Sequence, residues 1–375
     1  MDSSIYRELG LKPIINAAGT LTCFGGSLMR RETIEAMERA ATEFVDMAEL
    51  LNRADRCISE LLNVEAALVT GGAASGILLG TAAAISQRFP EYLLTSDTPE
   101  YAWEVMRQKT HRDLYDRHIV GCGAKIVEVE SEDQLDAAIS DRTVMMMAYN
   151  FYESSSTIKQ DTWLKKSKQH GIPTLLDAAA DVPPVKNLWE FCHRGFDMVA
   201  FSGGKAIRGP QSSGLLLGKR SLIDAARSNA MPNEGVVGRV AKVSKEDVVG
   251  LWIALKSFVE DGPNHGDRIG ERCRRQLKVI EDLLAPLQFV RCQLVTPAIA
   301  NHFPHLVIDW DRDKLPMDLA EVTFLLRDGD PAIATGRVFG IDEEGLVISA
   351  INLQDGEPEV VGKRLRELLD QAQAD

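Results

Sequence analysis

The sequence predicts an α/β protein in which a large N-terminal domain with a mainly parallel sheet precedes a smaller C-terminal α/β domain. Two observations predict the parallel sheet: apolar runs of strand length recur along the first 260 residues, and helical stretches separate them. Strands connected in this way are covered by helices on both faces. A third observation, a change of pattern after about residue 262, predicts the second domain.

The elements of the large domain follow in chain order. Residues 31–62 carry apolar side chains at helical spacing, with a break before Leu50. The run at 66–70 ends at two glycines and leads into a small, apolar helix at 75–87, which we expect to be buried on most sides. Further strands are predicted at 144–149, 173–177, 197–201 and 214–218, and further helices at 161–170 and 244–260.

The smaller domain begins after the turn-forming residues Asp261-Gly262-Pro263-Asn264. A long charged helix is expected over about 265–284, and a C-terminal helix over 357–373. Between them, four alternating segments predict an antiparallel sheet: 289–295, 304–310, 331–338 and 346–350. We therefore divide the chain into 1–260, the N-terminal segment with the large domain, and 261–375, the small domain.

Charge and composition exclude several classes of protein. The 42 Lys and Arg residues against 55 Asp and Glu residues give a formal net charge of −13, which disfavours nucleic acids and anionic membrane surfaces as partners. No apolar stretch reaches the roughly 18 residues of a membrane span, and the first residues do not have the pattern of a signal peptide. We expect a cytoplasmic protein.

Metal and disulfide sites are not expected either. The six cysteines lie far apart with no CxxC pair, and the seven histidines include no HExxH set. We interpret the cysteines as buried or partly buried reduced thiols. No metal is predicted.

The most informative segment is the strand at 197–201 with the Ser202-Gly203-Gly204-Lys205 sequence that follows it. It places a lysine at the carboxyl end of a strand, where open α/β sheets bind ligands. Such a lysine can form a Schiff base with a carbonyl cofactor such as pyridoxal 5′-phosphate (PLP). The alternative interpretation is a solvated loop lysine.

Asp177 ends the apolar strand at 173–177, 28 residues before Lys205. PLP needs an acidic partner that keeps its pyridine nitrogen protonated, so that the ring can accept electrons from a substrate carbanion. The alternative is a turn or helix N-cap aspartate, which is common after a strand.

The sequence TGGAASG at 70–76 opens the helix that follows the first large-domain strand. Backbone N–H groups at such a helix start, together with the helix dipole, suit a phosphate. Alone, a glycine turn before a helix is weak evidence. Because phosphate turn, aspartate and lysine follow successive strands in this order, the three together indicate one cofactor site.

The amino-acid sequence of these segments resembles the bacterial selenocysteine synthase (L-seryl-tRNA(Sec) selenium transferase) family of fold type I PLP-dependent enzymes. The resemblance rests on INAAGT at 15–20, the phosphate turn, FSGGK at 201–205 with GPQ at 209–211, and GRVAK at 238–242. It implies a large PLP-binding domain with a seven-stranded, mainly parallel sheet. Lys205 would form the Schiff base and Asp177 would contact the pyridine nitrogen. The implied phosphate contacts are Ser202, Gly72, Ala73, Ala74 and Ser75.

Departures from this family pattern bear on the substrate. The selenium transferases carry an extra N-terminal domain, for which the position of INAAGT leaves no room, and their GKRGSR-like segment is replaced here by MAELLNR at 47–53. The chain is more similar to shorter relatives resembling D-glucosaminate-6-phosphate ammonia-lyase, which act on free small amino acids. The segments that carry this likeness are KTHR at 109–112, Tyr115-Asp116 and the three alanines after Asp177.

The resemblance implies a PLP-dependent lyase that removes water and then ammonia from a small hydroxylated amino acid, leaving a 2-oxo acid. Lys205 is the expected base for the proton on the substrate α-carbon. Three alternatives stay open: a selenium transferase-like enzyme, an amino-acid racemase or aminotransferase, and a non-catalytic protein of PLP-enzyme fold.

Other site residues are less well defined by the sequence. His111 is the candidate for stacking on the cofactor ring, with Tyr101 second, although either could be an ordinary core or surface residue. Arg337 is the candidate for a substrate carboxylate, with Arg208 and Arg239 as alternatives, because guanidinium and carboxylate match in geometry. The fold type implies a homodimer or higher homo-oligomer with active sites at the subunit interface, to which residues 16–20 are expected to contribute.

Overall fold

A computed structural model describes residues 4–93, 103–262, 265–338, 340–341 and 344–374 of the chain. They form two compact units: the large unit comprises the described part of 29–263, and the small unit comprises the described parts of 1–28 and 264–375. Each unit contains a sheet whose strands are covered by helices, as expected for an α/β protein.

The strands are β1 (Ile14–Asn16), β2 (Ala66–Thr70), β3 (Trp103–Gln108), β4 (Ala124–Val129), β5 (Thr143–Tyr149), β6 (Thr174–Asp177), β7 (Met198–Ser202), β8 (Gly214–Gly218), β9 (Val290–Val295), β10 (His305–Trp310), β11 (Ala332–Ala334) and β12 (Leu346–Ser349). The helices are α1 (Ile5–Glu8), α2 (Arg31–Ala41), α3 (Met47–Leu62), α4 (Ala73–Arg88), α5 (Asp116–Val120), α6 (Glu132–Ala138), α7 (Gln160–His170), α8 (Asn187–Arg194), α9 (Arg220–Ser228), α10 (Lys245–Glu260), α11 (His265–Leu284), α12 (Leu319–Asp328) and α13 (Glu357–Ala374). None of these described helices has the length and hydropathy needed to span a bilayer.

The large unit is built on a sheet of seven described strands in the order β2-β8-β7-β6-β5-β3-β4. Strand β8 is antiparallel to both of its neighbours, and the remaining pairs are parallel. The mainly parallel seven-stranded sheet is therefore confirmed. Strands β5 and β8 are buried at every position, as expected for apolar strands covered on both faces.

Strands β3 and β4 are absent from the elements predicted by periodicity, because both carry charged residues. Glu104 and Arg107 of β3 are nevertheless buried, with 6% and 2% of their surface exposed. Each is paired: Arg107 with Glu128 of β4, and Glu104 with the hydroxyl of Ser140. Buried charges of this kind need such partners, which only the folded chain supplies.

Helix α4 lies directly against the sheet, because small residues face it. A Cβ added at Gly76 would lie 3.1 Å from the Cβ of Ala200 in β7, and one added at Gly80 would collide with Leu175 in β6. The close approach fixes the start of α4 relative to the two strands that carry Asp177 and Lys205.

The small unit differs from the predicted division of the chain, because it includes the N-terminal segment. Strand β1 pairs in parallel with β11, and the N–H of Ser349 donates to the carbonyl of Ala17 at 2.8 Å. Ala17 and Ala18 are 0% and 1% exposed. These pairings explain why residues from both ends of the chain share one unit, and they leave the side chains of these two alanines no surface to offer a subunit interface.

The antiparallel sheet of the small unit has three described strands in the order β12-β10-β9. The prediction that 331–338 joins this sheet is wrong: β11 covers only 332–334 of that segment, and it pairs with β1 in a separate two-stranded sheet. The apolar character of 332–334 predicts burial but not the partner, since pairing depends on where the distant N-terminal segment lies.

Candidate active site

Two neighbouring rows of paired strand positions lie at one edge of the large-unit sheet, next to the predicted anchors. Tyr149 at the end of β5 is paired with Asp177 at the end of β6, and Asp177 with Ala200 of β7. Two residues farther along β7, Ser202 is paired with Gly214 of β8, which is in turn paired with Thr70 of β2. This is the carboxyl edge of the parallel strands, where α/β proteins bind their ligands.

Asp177 and Lys205 interact electrostatically at this edge. Burial raises the pKa of Asp177 to about 6, while the attraction of Lys205 and the 2.9 Å hydrogen bond that its Oδ1 accepts from the N–H of Ala179 lower it. Burial lowers the pKa of Lys205, and the negative charges of Asp177 and Asp181 oppose that effect. The lysine is thus shifted toward the neutral amine, the form that is nucleophilic and basic.

The phosphate turn predicted at 70–76 has the geometry of an anion site. Helix α4 starts after Gly72, whose φ of +123° favours glycine, and no described side chain caps its first N–H groups. The predicted contacts Gly72, Ala73, Ala74 and Ser75 therefore present uncapped N–H groups at the positive end of a 16-residue helix.

Gly214 lies between the phosphate turn and the end of β7, which is followed by Lys205. A Cβ at position 214 would lie 2.6 Å from the carbonyl carbon of Gly72 and 2.7 Å from the carbonyl oxygen of Phe201. Because both neighbours are backbone atoms, neither can move aside as a side chain would. A side chain at 214 would separate the phosphate turn from Ser202, which the resemblance assigns to the same phosphate.

His111 follows β3 and is 1% exposed. Its Nδ1 accepts the backbone N–H of Tyr149 at 3.2 Å, so the ring proton must lie on Nε2, which donates to the hydroxyl of Ser156 at 2.6 Å. Burial, reinforced by the positive charge of Arg107, lowers the pKa of His111 to about 4. The ring is held neutral and both nitrogens are engaged in its plane, so that only its faces could meet a cofactor. Tyr101 lies outside the described residues.

Two of the three predicted arginines belong to the large unit. Arg208 is half-buried with a φ of +62°, and its backbone N–H donates to the backbone carbonyl of Lys205 at 2.9 Å. Arg239 is exposed in a short 3₁₀ turn that passes beside the phosphate turn, since a Cβ at Gly71 would lie 3.5 Å from the carbonyl oxygen of Ala241. Arg337 is exposed in the small unit, just after β11.

The structure adds polar residues that sequence reasoning missed. Tyr149 donates its hydroxyl to Asp116 Oδ1 at 3.0 Å, and Asn150 donates its side-chain amide to Asp181 Oδ1 at 2.8 Å. Burial and the charge of Asp177 raise the pKa of Tyr115. The sequence positions of three of these residues were a usable indication: Tyr149 ends the run at 144–149, Asn150 follows it directly, and Asp181 lies four residues after Asp177.

The seven-stranded, mainly parallel sheet of the large unit has the fold of type I PLP-dependent enzymes. Over its whole length the chain is similar to D-glucosaminate-6-phosphate ammonia lyase from Salmonella typhimurium (strain 14028s / SGSC 2262): the two are 26% identical over 384 aligned positions, which cover 99% of this chain and 100% of that one. A solved structure of D-glucosaminate-6-phosphate ammonia-lyase matches with a TM-score of 0.83 and 26% identity, covering 100% of both chains.

A second kind of relative is L-seryl-tRNA(Sec) selenium transferase from Serratia proteamaculans (strain 568), 25% identical over 334 positions that cover 78% of this chain and 66% of the relative. No family model matches the chain. The resemblance inferred from the motifs, including the short branch, is confirmed, and the comparisons support an enzyme of the lyase type.

Proposed function

We propose that the large unit binds PLP with its phosphate on the turn at 72–75, its pyridine nitrogen at Asp177 and its aldehyde carbon attached to Lys205. The observation that carries the proposal is the strand pairing: Asp177, the end of β7 three residues before Lys205, and the end of β2 two residues before Gly72 lie at one edge of the sheet. The residues fit such a group: uncapped N–H groups suit the phosphate, and Gly214 leaves the room that the turn needs.

We further propose that the reaction is the loss of ammonia from a small amino acid with a hydroxyl on its β-carbon. Bound PLP supplies an electron sink for the pair left when a proton departs from the α-carbon. Lys205 takes that proton, and the β-hydroxyl leaves as water once a proton has been added to it. The enamine that is released rearranges to an imine, and hydrolysis of this imine consumes one water and gives ammonia and a 2-oxo acid. The full-length similarity to D-glucosaminate-6-phosphate ammonia lyase supports this reaction type.

The proposed roles of Lys205, Asp177 and the arginines follow from their charges. Lys205, whose burial favours the neutral amine, serves as the base and then holds the proton as an ammonium group. Asp177 contributes a negative charge to the pyridine nitrogen, an ion pair that is stronger in a buried site than in water. Arg208 and Arg239 of the large unit are the proposed partners of the substrate's carboxylate or phosphate, and the same role for Arg337 stays a prediction from the sequence.

The absorption spectrum of the purified protein tests the cofactor. We expect a near-visible band that borohydride reduction removes while PLP becomes fixed to the peptide containing Lys205. The variant Lys205→Met should lose both, whereas Lys256→Met, on the exposed side of α10, should keep both. Absence of the band after addition of PLP would refute the cofactor assignment.

Product analysis tests the reaction separately. Hydroxylated amino acids, with D-glucosaminate 6-phosphate among them, are incubated with the holoenzyme, and 2-oxo acid is measured with a hydrazine reagent. We expect release of equal amounts of 2-oxo acid and ammonia. A PLP-loaded protein that only racemises these compounds, or that transfers their amino group to an added 2-oxo acid, would refute the lyase assignment and leave the cofactor site intact.

We also propose that the protein is a homodimer or a higher homo-oligomer. Large apolar side chains are exposed on the large unit, among them Phe44 at 103%, Val240 at 87% and Ile34 at 49%. Exposed apolar groups of this size commonly mark protein–protein contacts. Val240 adjoins Arg239, so a contact at this turn would bring a second subunit near the phosphate turn.

A further inference from the structure

Asp181 is a second acidic residue at the site edge, and neither the motifs nor the proposed reaction gives it a role. It is 4% exposed and lies in the turn after β6. That turn is tied to β7, the strand that ends three residues before Lys205: the N–H of Ala178 donates to the carbonyl of Ala200 in β7 at 2.9 Å, and the N–H of Asp181 donates to the carbonyl of Ala178 at 3.1 Å.

A chain of side-chain hydrogen bonds leads from the surface to this carboxylate. Arg194 donates to Gln160 Oε1 at 3.0 Å, Gln160 Nε2 donates to Asn150 Oδ1 at 2.7 Å, and Asn150 Nδ2 donates to Asp181 Oδ1 at 2.8 Å. Gln160 and Asn150 are 4% and 7% exposed. The links come from the end of α8, the start of α7 and the end of β5, so three elements converge on one carboxyl group.

The direction of this chain follows from the chemistry of its outer end. A guanidinium only donates hydrogen bonds, so the oxygen of Gln160 must face Arg194 and its NH₂ group must face Asn150. The amide of Asn150 is then oriented in turn, with its NH₂ group toward Asp181. Asp181 Oδ1 can therefore only accept, which stabilises negative charge on the carboxylate.

We propose that Asp181 is a positioning residue for Lys205: the chain that begins at Arg194 holds its carboxylate so that it favours the ammonium form of the lysine whenever the amine is free. The inference rests on the proposed role of Lys205. It gives the site two carboxylates with different tasks, Asp177 for the cofactor nitrogen and Asp181 for the lysine that receives the proton.

The charges that face Lys205 are consistent with this division. Burial lowers the pKa of Lys205, and Asp177 and Asp181 both act to raise it. Asp181 also raises the pKa of Asp177, by repulsion between like charges. Once Asp177 is neutralised by a pyridinium partner, Asp181 is the remaining negative charge of the two that can stabilise the lysine ammonium group.

The test measures the titration of Lys205 in the PLP-free protein. Competitive labelling with acetic anhydride across a pH series, followed by mass spectrometry of the Lys205 peptide, gives its apparent pKa without any need for turnover. In Asp181→Asn we expect that pKa to fall by about one unit relative to wild type. Arg194→Gln, which alters a half-exposed residue, should shift it in the same direction by a smaller amount. Asp224→Asn, at an exposed site on α9, is the matched control and should leave it unchanged.

An unchanged Lys205 pKa in Asp181→Asn, with a lowered one in Asp177→Asn, would overturn the proposal and leave Asp181 a structural residue. Should Asp181→Asn fail to fold by circular dichroism, Arg194→Gln decides: a lowered pKa supports the chain and an unchanged pKa refutes it. Because labelling uses no substrate and no cofactor, its outcome is independent of whether the proposed lyase activity is found.

Discussion

His111 gives the most direct link between a buried contact and a measurable property, the pH dependence of folding stability. The folded protein holds this histidine neutral: its Nδ1 accepts the backbone N–H of Tyr149, its Nε2 bonds to Ser156, and burial lowers its pKa from 6.5 to about 4. Protonation would place a proton on Nδ1, directly opposite the backbone N–H of Tyr149 from which Nδ1 now accepts a hydrogen bond. The perturbation is His111→Gln, which replaces the imidazole with a polar amide that cannot titrate.

The magnitude follows from the difference in proton binding between the folded and unfolded chains. Above pH 6.5 both forms are neutral and the histidine contributes no pH dependence. As the pH falls from 6.5 toward 4, the unfolded chain takes up a proton that the folded chain does not. Stability is therefore lost at about 1.4 kcal/mol per pH unit, which amounts to about 2 kcal/mol near pH 5 and about 3 kcal/mol near pH 4.

Urea unfolding of the PLP-free protein between neutral pH and about pH 5 checks this, with the free energy of unfolding compared between wild type and variant at each pH. The comparison matters because Asp177 acts in the opposite direction: its raised pKa adds stability as the pH falls through 6. We expect His111→Gln to be less stable at neutral pH but to lose less on acidification, by about 2 kcal/mol. The exposed His193→Asn should follow wild type. Parallel stability curves for wild type and His111→Gln would refute the reasoning.

Three further predictions test packing and assembly. Gly214→Ala should weaken PLP binding and lower the free energy of unfolding by about 1–3 kcal/mol, because its Cβ would overlap the backbone of Gly72. Fluorescence titration measures the PLP affinity and thermal unfolding measures the stability. Normal PLP affinity would contradict the proposed site. Asp55→Ala should destabilise the large unit by about 3–5 kcal/mol, because it removes the carboxylate paired with the guanidinium of Arg227 at 3.0 Å; a urea midpoint equal to wild type would count against the pair. Phe44→Asp should shift light-scattering mass toward the monomer at fixed concentration, and an unchanged oligomer would place the interface elsewhere.

The sequence predicts a site because its three proposed anchors are defined by local features. Strand β6 ends at Asp177, strand β7 ends three residues before Lys205, and α4 starts after Gly72, all within a few residues of the predicted bounds. Strand ends and helix starts depend on residues close in sequence, so periodicity and turn chemistry can find them. Parallel strands place such ends at one edge of the sheet, which is why the sequence predicts a single site there.

Only the tertiary structure decided how these anchors are supported. The partners of His111 lie 38 and 45 residues away, Asn150 meets Asp181 across 31 residues, and β1 finds β11 across most of the chain. A polar side chain gives no indication of its partner in the sequence, because many arrangements satisfy one donor or acceptor equally well and packing of the apolar core selects among them. The sequence by itself therefore determined the fold class and predicts the chemistry-bearing positions, whereas burial and long-range pairing decided which charged groups surround those positions.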